Sequence, residues 1–237
     1  MEQISQRIYD AGVVTGRSGK VHELNSGIDA QEGGLLFDII QKDRSVVRTL
    51  GVGCAYGLSS LHICLATKGR PGASHTILDP FQNTSWDGVG TKHLQEAGID
   101  YFELVEAKSE FALPRILEKN EGQFDFIFVD GWHTFDHTLL DCFYATRLLR
   151  VGGYLAIDDV NFPSVNRVVA FLKNYPCYQE CGTVGDDLWP QTLLGRFKRI
   201  VKKTMSSDYR EPQRIRMVAL QKIAEDARNW DWHVDAF

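Results

Sequence analysis

Five short apolar runs, Val46–Val52, His75–Leu78, Phe102–Val105, Phe124–Val129 and Tyr154–Ile157, alternate with helical patterns at Ser59–Lys68, Gly90–Ala97, Leu113–Lys119 and Phe135–Arg150. No other feature limits the fold as strongly. Strands separated by helices are joined by crossovers, and crossovers build a parallel sheet covered on both faces. FDFIFV, at Phe124–Val129, is the most apolar run, as a strand buried on both faces must be. The helix after it carries Leu140, Tyr144 and Leu148 at spacings of four, a single stripe to lie on a sheet. Gly152-Gly153 is expected to end that helix before the next strand, and Ile215–Ile223 to form a last strand.

No linker separates a second unit, so residues 1–237 read as one α/β domain. It has an N-terminal lid segment over 1–40, a core over 45–172 and C-terminal strands with an extension over 173–237. Residues 11–34 hold six glycines and read as a mobile segment. Residues 182–214 are polar and basic, with Arg196-Phe-Lys-Arg199 and Lys202-Lys203, and read as a solvated helix face.

A hydrophobic fraction of 43% over 237 residues can bury a core and excludes wholesale disorder. A net charge of −5 argues against nucleic acid and anionic membranes as partners. No apolar run approaches the ~18 to 20 residues that cross a bilayer. MEQISQRIYDAGVV lacks the basic and apolar parts of a secretory signal, so a cytoplasmic protein is expected. The odd cysteine set, Cys54, Cys64, Cys142, Cys177 and Cys181, suits reduced, mostly buried thiols, and Cys177-x-x-x-Cys181 lacks a second zinc-spaced pair.

The candidate chemistry sits where strands end. Gly51-Val-Gly53-Cys-Ala-Tyr56-Gly57-Leu-Ser59 follows the first strand and opens a helix, a turn where backbone can approach a ligand and free N–H groups face it. Gly57 comes four residues after Gly53, one more than the dinucleotide fingerprint allows. Asp79 ends the second strand, where a nucleoside-binding fold places a carboxylate for ribose hydroxyls; the plain alternative is an Asp79-Pro80 surface turn.

Asp130 ends the FDFIFV strand and Asp158-Asp159 ends YLAI. If those strands are neighbours, their ends lie roughly 5 Å apart. Three crowded acids invite a hard divalent cation, Mg²⁺ or a relative. Adjacent strand residues point to opposite faces, so Asp158 and Asp159 can share an ion only where the strand turns; otherwise Asp159 caps that turn. His133, three residues after Asp130, suits proton abstraction near neutrality, against a merely structural role. His137 reads as a helix-face residue.

Together GVGCAYGLS, Asp79, FVDGWH and AIDDV resemble class I S-adenosylmethionine-dependent methyltransferases, within them the metal-dependent O-methyltransferases of the catechol and macrocin type. The specific part is the distance of 28 residues from Asp130 to Asp158 with a second acid next to it, and the likeness covers about residues 45–172. The resemblance implies a Rossmann-like fold with a mostly parallel seven-stranded sheet and helices on both faces. It implies S-adenosyl-L-methionine as cofactor, with Gly53, Gly57 and Ser59 around the methionine end, Asp79 on the ribose, and Gly51, Tyr56 and Asp130 among the other cofactor-binding residues. Ser109 and Trp132 would lie beside the nucleoside, though a tryptophan there is as often packing. It implies a divalent metal on Asp130, Asp158 and Asp159, His133 as base, and a small-molecule hydroxyl as acceptor. A homodimer is open, as is whether Trp230-Asp-Trp232-His233 shapes the acceptor pocket or packs a dimer.

One departure stands out: Gly51 occupies a position that is normally acidic in the family. It supports the alternative of a non-catalytic module on the same fold; a metal-independent enzyme, its aspartates serving the cofactor and the fold, is a separate alternative. A nicotinamide dehydrogenase is disfavoured by the glycine spacing and the clustered acids.

Overall fold

The structure is a computed structural model and describes residues 3–187 and 213–235. In chain order its elements are α1 (Gln3–Ala11), β1 (Val13–Thr15), β2 (Val21–Glu23), α2 (Ala30–Lys42), β3 (Arg48–Val52), α3 (Leu58–Thr67), β4 (Ser74–Leu78) and α4 (Val89–Glu96). There follow β5 (Phe102–Val105), α5 (Ser109–Asn120), β6 (Phe124–Val129), α6 (Phe135–Leu148), β7 (Leu149–Ile157), α7 (Pro163–Leu172), β8 (Tyr178–Asp187) and β9 (Gln213–Lys222).

Seven strands form one sheet in the order β5-β4-β3-β6-β7-β9-β8. The five from β5 to β7 pair in parallel, and β9 runs antiparallel to both its neighbours. Alternation in the central strand sends Phe126 and Phe128 into a core with α2, α3 and α4, and Ile127 and Val129 into a second core with α5, α6 and α7. The mostly parallel sheet with helices on both faces is therefore as expected. Order reverses between β3 and β6, and the carboxyl ends flanking such a reversal are where open α/β sheets bind ligands.

Several boundaries differ from the sequence reading. The sixth helix stops at Leu148, and Gly152-Gly153 lies inside β7 rather than ending the helix. Leu148 and Leu149 are both fully buried, and Leu149 already pairs with Phe124. The glycines serve a bulge: between two pairings β6 advances two residues while β7 advances five, with Gly152 at φ +86°. Helix α5 starts at Ser109, four residues before the expected Leu113. The N-terminal glycine-rich stretch is not a bare connector but a β1–β2 hairpin followed by α2, whose start is fixed by an Asp29–Glu32 capping box. Residues 182–187 continue β8, not a helix face; Arg196–Arg199 and Lys202-Lys203 lie outside the described residues. No helix among the described residues is long and apolar enough to cross a membrane. The cysteines are free, with Cys181 exposed and the other four buried.

Candidate functional site

The loop after β3 is shaped by contacts that only glycine allows. Gly53 has φ +89°, and a Cβ there would lie 1.9 Å from the carbonyl oxygen of Asp130 on the adjoining strand end. Gly57, the N-cap of α3 at φ +80°, meets Gly90 of α4, where a Cβ would stand 2.5 Å from the Gly90 Cα. Between them Ala55 also adopts positive φ, +47°. Asp79 holds this turn in place: Oδ2 accepts from the backbone N–H groups of Cys54 at 3.1 Å and Ala55 at 3.0 Å, and Oδ1 from Phe81 at 2.8 Å. A carboxylate has about four acceptor sites, so about one is left for a ligand.

Above this loop lies a cavity of about 420 Å³, within the size range of small-molecule sites. Its walls include Gly53, Ala55, Asp79, Phe81, Trp86, Ser109, Asp130, Gly131, Trp132 and His137. Gly53, Asp79, Ser109, Asp130 and Trp132 from the sequence reading thus meet around one space. Gly51, Tyr56, Gly57 and Ser59 are not among the lining residues. Gly51 faces the buried His75, with ordinary room for a Cβ at 3.6 Å. Tyr56 turns away to meet Trp86 edge-on, with ring centroids 5.2 Å apart. His137, read as a helix-face residue, lines the cavity and lies against Trp132 at 6.1 Å.

Beside the cavity the acids converge. His133 Nε2 lies 3.2 Å from Asp130 Oδ1 and 3.0 Å from Asp159 Oδ2, so one imidazole bridges two strand ends. Ligand atoms of these three residues all lie within 4.8 Å of one another. Asp159 stands at φ +53° in the turn just past β7; Asp158, expected with it on a metal, is not in this group. Asp158 is buried beneath; burial and the charges of Asp130 and Glu32 hold its carboxyl far above the usual range. Burial likewise raises Asp130, with the Asp159 charge adding and the His133 contact opposing. The Asp130 contact raises His133. Its ring stacks on Phe162 at 5.5 Å and 19°, and Ser164 Oγ donates to its backbone carbonyl at 2.6 Å. Asp130 belongs to both places: it walls the cavity and pairs with the histidine.

Some participants escaped the sequence reading. Glu32 of α2, paired with Arg216 at 2.9 Å, adds its charge to the surroundings of Asp158 from about a hundred positions earlier, and no local pattern announces it. Phe162 carried a signal, an aromatic three residues after Asp159 in DDVNFP. Asp141 of α6 is 1% exposed behind Gly131; burial pushes its carboxyl up to about 6, with the Ser109 side chain pulling the other way. The Trp230–His233 segment is elsewhere: Trp232 packs on Phe171 and Tyr175, with Arg228 over both Tyr175 and Trp232, and Trp230 stands in solvent.

Comparison with known proteins agrees with this architecture. Residues 50–160 match a family described as a methyltransferase domain. The chain is 30% identical over 154 residues to catechol O-methyltransferase B of Danio rerio, an alignment covering 63% of this chain and 56% of that protein. It thus spans little more than half the length of that relative. The fold is similar to the O-methyltransferase TomG of Streptomyces achromogenes, solved with SAM, at TM-score 0.61 and 18% identity over 92% of this chain and 86% of that one. It is similar also to an O-methyltransferase of Bacillus cereus solved with SAH, at TM-score 0.61 and 16% identity over 93% and 90%. The resemblance read from the strand-end motifs is borne out in both sequence and fold.

Proposed function

We propose, from the match of residues 50–160 to a methyltransferase-domain family, that the protein moves a methyl group from S-adenosylmethionine to a hydroxyl oxygen of a small molecule. The observation that carries this is the double placement of Asp130, which walls the cavity on one side and meets the base candidate on the other. A donor in the cavity would present its methyl group toward the place where the hydroxyl proton can leave. Gly53 lines the cavity with bare backbone, Asp79 offers its remaining acceptor site to a ribose hydroxyl, and Ser109 and Trp132 flank the nucleoside. Aromatic faces nearby also favour a cationic sulfonium.

In the transfer the acceptor oxygen attacks the methyl carbon in line. The carbon–sulfur bond breaks toward sulfur, the ether bond forms, and the hydroxyl proton passes to the His133 imidazole, leaving S-adenosylhomocysteine. The stack on Phe162 and the bond from Ser164 hold His133 in position for this. The donor set fits a divalent cation, Mg²⁺ or another hard ion. Asp130 and Asp159 would hold it with Asp158 adjacent, and crowded buried carboxyls resist ionising until a cation joins them. Such an ion would supply Lewis acidity, lowering the hydroxyl pKa and fixing the oxygen.

A second reading has its own support: the imidazole already bridges two carboxylates, an arrangement that can act as a base without a metal. The test is calorimetric titration with S-adenosylhomocysteine in the presence of Mg²⁺, then methyl transfer to a panel of hydroxyl compounds. Asp130→Asn should keep the fold and lose metal-dependent turnover; undiminished methylation by that variant removes the metal from the mechanism. Activity that survives a chelator selects the metal-free reading. Failure to bind the adenosyl ligand at all would favour a non-catalytic module.

A further inference from the structure

The glycine-rich N-terminal stretch finds its use in the β1–β2 hairpin. Its turn, Gly16–Lys20, is exposed apart from the buried Gly16, yet it is bonded to the loop between β4 and α4, about 70 residues away. The Ser18 hydroxyl and backbone N–H both donate to the Asp87 carboxylate, and the Arg17 N–H donates to the Asp87 carbonyl at 2.8 Å. The Arg17 guanidinium donates to Thr91 Oγ1 at 3.2 Å and Gln95 Oε1 at 2.7 Å, while Lys92 Nζ returns a bond to the Thr15 carbonyl at 2.8 Å.

The two segments also interlock sterically. A Cβ on Gly16 would lie 1.9 Å from the Asp87 carboxylate, and one on Gly88 would lie 2.5 Å from Arg17 Cδ. Each segment has a glycine where the other inserts a side chain. Asp87 and Gly88 stand at φ +50° and +66°, two successive left-handed residues. For Asp87 that conformation costs free energy, and surrounding contacts must hold it.

The loop held in this way carries Phe81 and Trp86 into the cavity wall. Trp86 directly precedes Asp87, and its ring is wedged edge-on against Tyr56. We propose that the hairpin turn is a clasp that sets Trp86 and Phe81 against the cavity, making Arg17 and Ser18 positioning residues for the adenosyl ligand although neither touches it. The proposal rests on the reading that this cavity holds that ligand.

Ordering the loop in advance spares a bound ligand the cost of ordering it, so the clasp acts on affinity. Arg17 and Ser18 are exposed, so removing their side chains leaves the cores intact. The experiment is calorimetric titration of the full chain with S-adenosylhomocysteine, wild type against Arg17→Ala/Ser18→Ala, with melting temperatures measured alongside. The double variant should bind about tenfold more weakly, the equivalent of losing one hydrogen bond to a charged group, and should melt close to wild type. Ser18→Thr, which keeps the hydroxyl, should restore most of the affinity to Ser18→Ala. If wild type binds and the double variant binds within about twofold of it, the clasp is overturned and the cavity assignment stands. If wild type does not bind, the cavity assignment falls and the clasp with it. Should the double variant not fold, Ser18→Ala alone gives the same comparison.

Discussion

Asp79 separates two roles that one carboxylate can hold. It is 3% exposed, and its oxygens accept three backbone N–H groups, those of Cys54, Ala55 and Phe81. Asp79→Ala leaves all three donors without their acceptor. A buried donor stripped of its partner costs about 1–3 kcal/mol. The Cys54 N–H is buried and the other two are part-buried, where water can replace some of the loss. The expected destabilisation is therefore about 3–5 kcal/mol, below the simple sum. Asp79→Asn keeps one oxygen, which can serve the Cys54 and Ala55 pair, but turns an NH₂ toward the Phe81 N–H. That variant should lose about 1–3 kcal/mol. Urea unfolding at neutral pH, followed by circular dichroism, measures both, provided the m-value is unchanged. Affinity for S-adenosylhomocysteine should fall in the same order, because the loop that loses its anchor walls the cavity. Were Asp79 present only to hold a ribose, removing a buried charge would leave stability level or raise it. An Asp79→Ala protein within about 0.5 kcal/mol of wild type would refute the anchoring argument.

Two further outcomes follow from the same geometry. Gly53→Ala must hold a left-handed residue, at about 1–2 kcal/mol, and push its methyl into the Asp130 carbonyl. It should lose well over that amount in urea unfolding, whereas Gly51→Ala, with its nearest neighbour at 3.6 Å, should unfold within about 1 kcal/mol of wild type. For Asp141, burial raises the carboxyl to about 6, so the folded state binds more protons than the unfolded state from about pH 4 to pH 6. The stabilising contribution is fully present below that window and lost as pH rises through it. Relative to Asp141→Asn, wild type should lose up to about 3 kcal/mol between pH 4 and pH 7. Parallel stability curves for the two proteins would remove the buried-acid argument.

Much of the site was legible because the chemistry of a parallel sheet collects at strand ends. Asp79, Asp130, Asp158 and Asp159 each follow an apolar run, so finding the runs found the acids, and β3, β6 and β7 lie side by side as the clustering required. Glycine spacing after β3 likewise marked the turn. The hairpin, α2 and β8 were harder, since short polar strands and glycine-rich turns carry little periodicity. Glu32 and Trp86 were invisible for another reason: their place beside the site depends on segments distant in sequence.

The sequence by itself determined the alternation of strand and helix, the apolar central strand, the glycines of the first turn and the acids at the strand ends, because each is a local matter of periodicity, backbone freedom or charge. Tertiary structure decided which acids share a histidine, which glycines open room for a neighbour rather than a ligand, and that a hairpin near the start of the chain braces a loop in the cavity wall. Those are questions of distance between residues far apart in the chain. They are answered only when the sheet order and the packing of both its faces bring the segments together.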